Sequence, residues 1–282
     1  MNTLPLIVIL GQTATGKSAY AVALAQEINA EIISADSRQV YKGLNLGTGK
    51  VTKKEMGGIP HHLLDVANPS QQFSVANYQE LTKKAIEKIH KKNKIPILVG
   101  GTGFYIDAVI HDTKLPEVPP NAALRKKLAK LSTERLFAML KKIDPLRAQT
   151  IDTKNPVRLI RAIEIAKALG HVPRVITTNK YPVIKIGIML PDEVLKERIH
   201  TRLLDRLTQG MLREATRLHR DGLSWRRMEE LGLEYRYMAR HLQGKITHNQ
   251  MLQQLENEIW KYAKRQKTWF KRDKEIIWIR VA

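Results

Sequence analysis

The sequence predicts an α/β fold, a doubly wound parallel sheet with a helical insertion domain. Three features carry that expectation: short Ile- and Val-rich runs alternating with helical patterns, a glycine-rich phosphate motif between the first run and the first helix, and a long proline-bounded stretch without strand signal. Apolar runs this short suit strands buried on both faces, and their alternation with helices calls for right-handed crossovers. With 282 residues, 43% of them hydrophobic, the chain can build one large domain or two smaller ones, which excludes disorder as the main state.

Taken in order, a first strand is expected over 6–10 and a helix over 17–28, where Ala, Val and Leu recur at helical spacing. A second strand is expected over 31–34. The helix expected over 75–92 ends in lysines, which suits the negative end of a helix dipole. Strands at 95–99, 184–190 and 276–279 complete the sheet. Residues 113–182 open with Pro116, Pro119 and Pro120 and close with Pro173 and Pro182, and they are expected to form the helical insertion. The core is then 1–112 with 183–282, the latter mostly helical over 192–272 with breaks at Gly210, Gly222 and Gly232.

The segment Gly11-Gln12-Thr13-Ala14-Thr15-Gly16-Lys17-Ser18 fits G-x4-G-K-[ST] in the strand-to-helix setting that the motif needs, so the fold is expected to be P-loop NTPase-like. Backbone N–H groups and a helix N-terminus would cradle a di- or triphosphate, Lys17 would neutralise it, and Ser18 would offer its hydroxyl to Mg²⁺. The motif establishes a polyphosphate ligand and leaves its identity open.

Asp36 follows the second strand, at the carboxyl end where open α/β sheets form their ligand crevice. It can be a turn residue, a carboxylate for Mg²⁺, or a general base toward an incoming nucleophile. The third long strand ends in Gly100-Gly101-Thr102-Gly103, with no acid where many P-loop enzymes carry a metal-binding Asp, which argues against ordinary nucleotide hydrolysis. Three glycines around Thr102 would let backbone approach a ligand, with the hydroxyl as a hydrogen-bonding partner; a tight turn is the alternative.

Charge narrows the partner. The net charge is +21, and it is uneven: 12 basic against 9 acidic residues in 1–112, 15 against 5 in 113–182, and 21 against 13 in 183–282. Such an excess asks for a polyanion, and its spread over several segments favours nucleic acid over a membrane surface. The absence of cysteine excludes disulfides, thiolate metal sites and a cysteine nucleophile, and fits a reducing, cytoplasmic setting. No export signal or membrane span is expected. A P-loop kinase with the insertion as lid, and an RNA-binding protein with a decayed nucleotide site, stand as alternatives.

The motifs together resemble the bacterial tRNA dimethylallyltransferases. The resemblance runs from Gly11–Ser18 through Asp36-Ser37-Arg38-Gln39-Val40-Tyr41, Gly47-Thr48, Ile59–Asp65 and Gly100–Gly103 to Pro156–Ala162, Leu190–Asp192 with Arg198 and Arg202, and Ala263-Lys264-Arg265-Gln266 with Thr268-Trp269-Phe270. It departs where Leu203-Leu204 follow Arg202 in place of Val-Asp, at Gly232-Leu233-Glu234-Tyr235, and at Gln12, where the family has Pro; no change in phosphate binding is expected from Gln12. The resemblance implies transfer of a dimethylallyl group from dimethylallyl diphosphate to N6 of adenosine 37 in tRNAs reading codons that start with U, with Mg²⁺ and release of diphosphate. It implies that the loop holds the diphosphate, helped by Arg161 and Arg202, that Asp36 is the base, and that Thr102 bonds near the reacting centre. Ser37, Arg38 and Gln39 would contact the extruded adenine region, and the Val157-Arg158-Leu159-Ile160-Arg161 segment would contact tRNA. Arg125, Lys126 and Lys127 in the insertion, and Lys264, Arg265 and Lys267, would add phosphate contacts. A monomer is expected.

Overall fold

The computed structural model describes residues 4–174, 176–178 and 180–281. The elements run β1 (Leu6–Gly11), α1 (Lys17–Glu27), β2 (Ala30–Ala35), β3 (His61–His62), α2 (Val75–His90), β4 (Ile95–Gly100), α3 (Gly103–Ile110), α4 (Ala122–Leu128), α5 (Thr133–Ile143), α6 (Pro145–Thr150), α7 (Pro156–Leu169), β5 (Val183–Met189), α8 (Asp192–Thr208), α9 (Met211–Arg220), α10 (Trp225–Leu231), α11 (Leu233–Leu242), α12 (His248–Phe270) and β6 (Ile277–Arg280). The chain divides into two compact units, residues 1–112 with 179–282, and residues 113–178.

The first unit is built on a parallel six-stranded sheet of order β3-β2-β4-β1-β5-β6. Alternation along the strands explains why both faces are covered. Leu6, Val8, Leu10, Ile33 and Leu98 pack into the core shared with α2, α3, α8 and α12, while Ile7, Ile9, Ile32, Ile97 and Val99 turn to the face covered by α1. β1 lies between β4 and β5, so the turns after β1, β2 and β4 emerge at one edge of the sheet, the edge where such folds bind ligands.

The second unit is the four-helix stretch α4 to α7, closed on Leu128, Leu136, Leu140, Leu159 and Ile163. Local sequence starts each helix. Asn121, Ser132, Asp144 and Asn155 cap the four N-termini through their side chains, and proline occupies the first turn of α6 and α7, where its missing N–H costs nothing. Glu164, buried on α7, accepts from Asn121 N at 2.6 Å and from Arg125 at 2.7 and 2.9 Å, and also pairs with Arg161. Burial alone would raise its pKa, but Arg125, Asn121 and Arg161 together hold it at about 2.

Candidate active site

The phosphate loop forms as the motif requires. Gly11, at φ 142°, leaves β1 so close to β5 that a Cβ would lie 2.3 Å from the Ile188 carbonyl oxygen, and Gly16 opens α1 in the left-handed region at φ 89°. Thr15 Oγ1 donates to the Gln12 carbonyl at 2.9 Å, and the Lys17 ammonium donates to the same oxygen. The loop is therefore internally closed around its own lysine. Desolvation, then the nearby Arg202 guanidinium, push Lys17 down to about 7, against the opposing pull of Asp36.

Asp36 sits at the end of β2 in a side-chain-closed turn. Its Oδ1 accepts from the Arg38 N–H at 2.7 Å and the Gln39 N–H at 3.2 Å, while Oδ2 accepts no hydrogen bond among the described residues. Both the turn reading and the chemical reading of Asp36 are thus compatible, one for each oxygen. Thr102 begins α3 without capping it; its hydroxyl accepts from the Ser37 N–H at 3.1 Å. The side chains of Arg38 and Gln39 brace the turn, Arg38 donating to the Leu231 carbonyl and Gln39 to the Gly49 carbonyl at 3.3 Å.

Two adjoining cavities meet here. One, of about 620 Å³, lies under the phosphate loop and is lined by Gly16, Lys17, Ser18, Gly100 and Gly101. The other, of about 380 Å³, is lined by Ser37, Gly47, Tyr235 and five arginines, Arg38, Arg202, Arg206, Arg236 and Arg265. Thr13, Ala14, Asp36, Thr48, Arg202 and Tyr262 line both. Arg202 is reached by solvent through the cavities, yet desolvation on its protein side and then the like charge of Arg206 both disfavour its cation. Lys17 and Arg202 give a positive field suited to an anion with several oxygens, while Arg206 is paired with Glu234 at 3.1 Å.

The glycines around Thr102 also make room for neighbouring protein. A Cβ at Gly100 would lie 2.1 Å from the Ala35 carbonyl oxygen, one at Gly101 would lie 2.1 Å from Gln266 Nε2, and one at Gly103 would lie 2.3 Å from the Trp269 ring. They admit β2 and α12, while Gly100 and Gly101 also line the cavity under the loop. Gln266 is 4% exposed; its Oε1 accepts from the Thr13 N–H at 2.7 Å and its Nε2 donates to the Gly101 carbonyl at 2.9 Å. Gln12 is buried too and donates to the Ala263 carbonyl at 3.2 Å, which ties the loop to α12 a second time. Gln266 is not marked by residue type, since its partners lie more than 150 residues away along the chain.

Arg202 reaches the loop, whereas Arg161 is engaged inside the insertion, where it pairs with Glu164 and donates to the Val118 carbonyl at 2.9 Å. In the segment expected to meet tRNA, Val157 is 75% exposed and Arg158 faces outward beside Asp152, Ile160 packs on the core, and Leu159 is fully enclosed. The Leu159 side chain has no surface to offer RNA. Arg125 is committed to Glu164 and Lys267 to Asp192 at 2.7 Å, so neither is a loose cation. Ser18, in the first turn of α1, lines the cavity, and the described residues contain no cluster of three His, Cys, Asp or Glu that could hold a metal. Such a site fits a cation held chiefly by ligand oxygens and water, as Mg²⁺ commonly is.

The family model described as IPP transferase matches residues 39–273. A relative from Treponema denticola named tRNA dimethylallyltransferase 2 is 46% identical, covering 94% of this chain and 91% of its own, and one of the same name from Citrifermentans bemidjiense is 44% identical over 95% and 86%. A solved tRNA isopentenylpyrophosphate transferase from Bacillus halodurans superposes with a TM-score of 0.74 at 37% identity, over 98% of this chain and 89% of that one. A eukaryotic dimethylallyltransferase solved acting on tRNA gives 0.84 at 26% identity, over 98% and 74%. The sheet, its phosphate loop and these matches across nearly the whole length agree: the chain belongs to the IPP transferase family, the tRNA dimethylallyltransferases.

Proposed function

We propose that this chain transfers a dimethylallyl group from dimethylallyl diphosphate to N6 of adenosine 37 in tRNAs reading codons that start with U, releasing diphosphate. The observation that carries the reading is the meeting of the two cavities at Asp36, one walled by the phosphate loop and the other by arginines. The donor diphosphate lies against the loop N–H groups, Lys17 and Arg202; the adenine, taken out of its stack, enters from the arginine side. The N6 lone pair attacks C1 of the prenyl group as the C1–O bond breaks, the bonding pair leaves with the diphosphate oxygen, and the N6 proton passes to Asp36 Oδ2. Thr102, held by the Ser37 N–H, orients the amine. Ser18 would help hold a Mg²⁺, which would supply charge neutralisation for the leaving diphosphate. An exocyclic amine is a weak nucleophile, so alignment and stabilisation of the leaving group provide most of the rate.

The basic surfaces of both units serve the RNA backbone, and the protein acts as a monomer in the cytoplasm; no helix among the described residues is long and apolar enough to cross a membrane. A small-molecule kinase has little need for an excess of ten basic residues in 113–182 and eight in 183–282, and the family match does not favour it. The test is a transfer assay with labelled dimethylallyl diphosphate, Mg²⁺ and an unmodified tRNA bearing A36-A37-A38, beside a parallel reaction with γ-labelled ATP. Label should enter the RNA and vanish when A37 is replaced by G. ATP consumption with no labelled RNA would overturn the reading.

A further inference from the structure

We infer that Gln266 is the positioning residue that fixes the distance between the phosphate loop and the Thr102 turn, acting as a two-ended spacer between Thr13 and Gly101. The inference rests on the transfer reading above and adds to it a residue on the wall of the donor cavity that acts through the loop it holds. A carboxamide is suited to this task because it offers one acceptor and one donor on a short planar group. Both ends are used: Oε1 on the Thr13 N–H and Nε2 on the Gly101 carbonyl. One turn earlier, the Ala263 carbonyl takes the Gln12 side chain, so a single turn of α12 grips two successive loop residues.

The Thr13 N–H is thereby removed from the donors available to a phosphate, and the loop's first limb is referenced to α12 and β4. Because α12 also carries Tyr262, which lines both cavities, the helix that braces the loop also faces their junction. Gly101 is the counterpart of this arrangement: its missing Cβ leaves the space that Gln266 Nε2 fills. Bond-forming geometry is sensitive to displacements of this kind, with about 1 Å costing on the order of 100-fold in rate.

The test is steady-state kinetics of Gln266→Ala, Gln266→Glu, Gly101→Ala and the Gly101→Ala/Gln266→Ala double variant, each with its melting temperature. Wild-type transfer is confirmed first, so that failure of the transfer reading is separate from failure of this one. Gln266→Ala should raise the KM for dimethylallyl diphosphate about tenfold and lower kcat roughly 30-fold, with the tRNA KM within about twofold. Loss of folded fraction alone would move neither KM. Gln266→Glu keeps the acceptor for Thr13 and loses the donor to Gly101, so its defect should be intermediate; it carries the test if the alanine variant does not fold. Gly101→Ala should resemble Gln266→Ala, and the double variant should be no worse than Gln266→Ala alone, because the added methyl enters vacated space. Unchanged donor KM in both Gln266 variants, or single defects that multiply in the double variant, would overturn the inference.

Discussion

The turn at Asp36–Gln39 and the loop at Asn45–Gly47 are each organised by one carboxylate accepting backbone N–H groups, and they differ in what is left over. Glu214, buried on α9, uses both oxygens: Oε2 accepts from Asn45 and Leu46 at 3.0 and 2.8 Å, and Oε1 accepts from Gly47 at 3.0 Å and the Tyr235 hydroxyl at 2.7 Å. Asp36 spends one oxygen on its turn and presents the other to two cavities. A carboxylate with its lone pairs filled holds a fold; one with an oxygen in reserve can take a proton. Neither group is distinguished by residue type, and only the count of partners separates them.

The largest effect that sharpens this contrast is at Asp36. Asp36→Asn retains the oxygen that closes the turn but removes the base, so transfer should fall roughly 100- to 10,000-fold with an unchanged melting temperature. A variant retaining more than a tenth of wild-type turnover would break the contrast.

Glu214→Ala should do the converse. Three backbone N–H groups and a tyrosine hydroxyl lose their acceptor, which should cost about 3 kcal/mol in urea unfolding. Since Gly47 and Thr48 wall the arginine-rich cavity, the tRNA KM should rise while the donor KM stays put. An equally stable variant would show that water replaces the carboxylate.

The smallest effect concerns Lys17. Its folded value of about 7 lies below the ordinary 10.5, so between those values the free folded protein binds fewer protons than the unfolded chain and its stability climbs with pH. A bound diphosphate restores the charge, so at pH 8.5 donor binding should take up about one proton, read by calorimetry in two buffers of different ionisation enthalpy. No proton uptake would mean that Lys17 is already charged in the free protein.

Much of the sheet and its loop was legible because their signals are local. An Ile-rich run, a glycine-rich octapeptide and a helix onset lie within 28 residues, and each expected strand appears within a residue or so of its expected limits. β3 was not legible: two residues, His61 and His62, make too short a pattern, and what secures them is the distant Glu31, which accepts from His62 at 2.8 Å. The glycines around Thr102 were visible, but what they make room for was not, because Gln266 and Trp269 arrive from the far end of the chain. Arg161 reads as an anion ligand from its setting in a basic helix, and only the fold supplies Glu164 and Val118 as its partners. Gln12 likewise reads as a neutral replacement within the motif, while its buried bond to Ala263 makes it a tether.

The tie between Thr13 and Gln266 spans 253 residues, and this bears on synthesis. The loop leaves the ribosome 253 residues before its brace, so over that stretch of synthesis a nascent chain carries the complete phosphate motif without the helix that sets its spacing. Long closures of this kind form late in folding. The protein is therefore expected to acquire donor affinity in a single late step, when α12 docks, and to remain silent toward diphosphate until then.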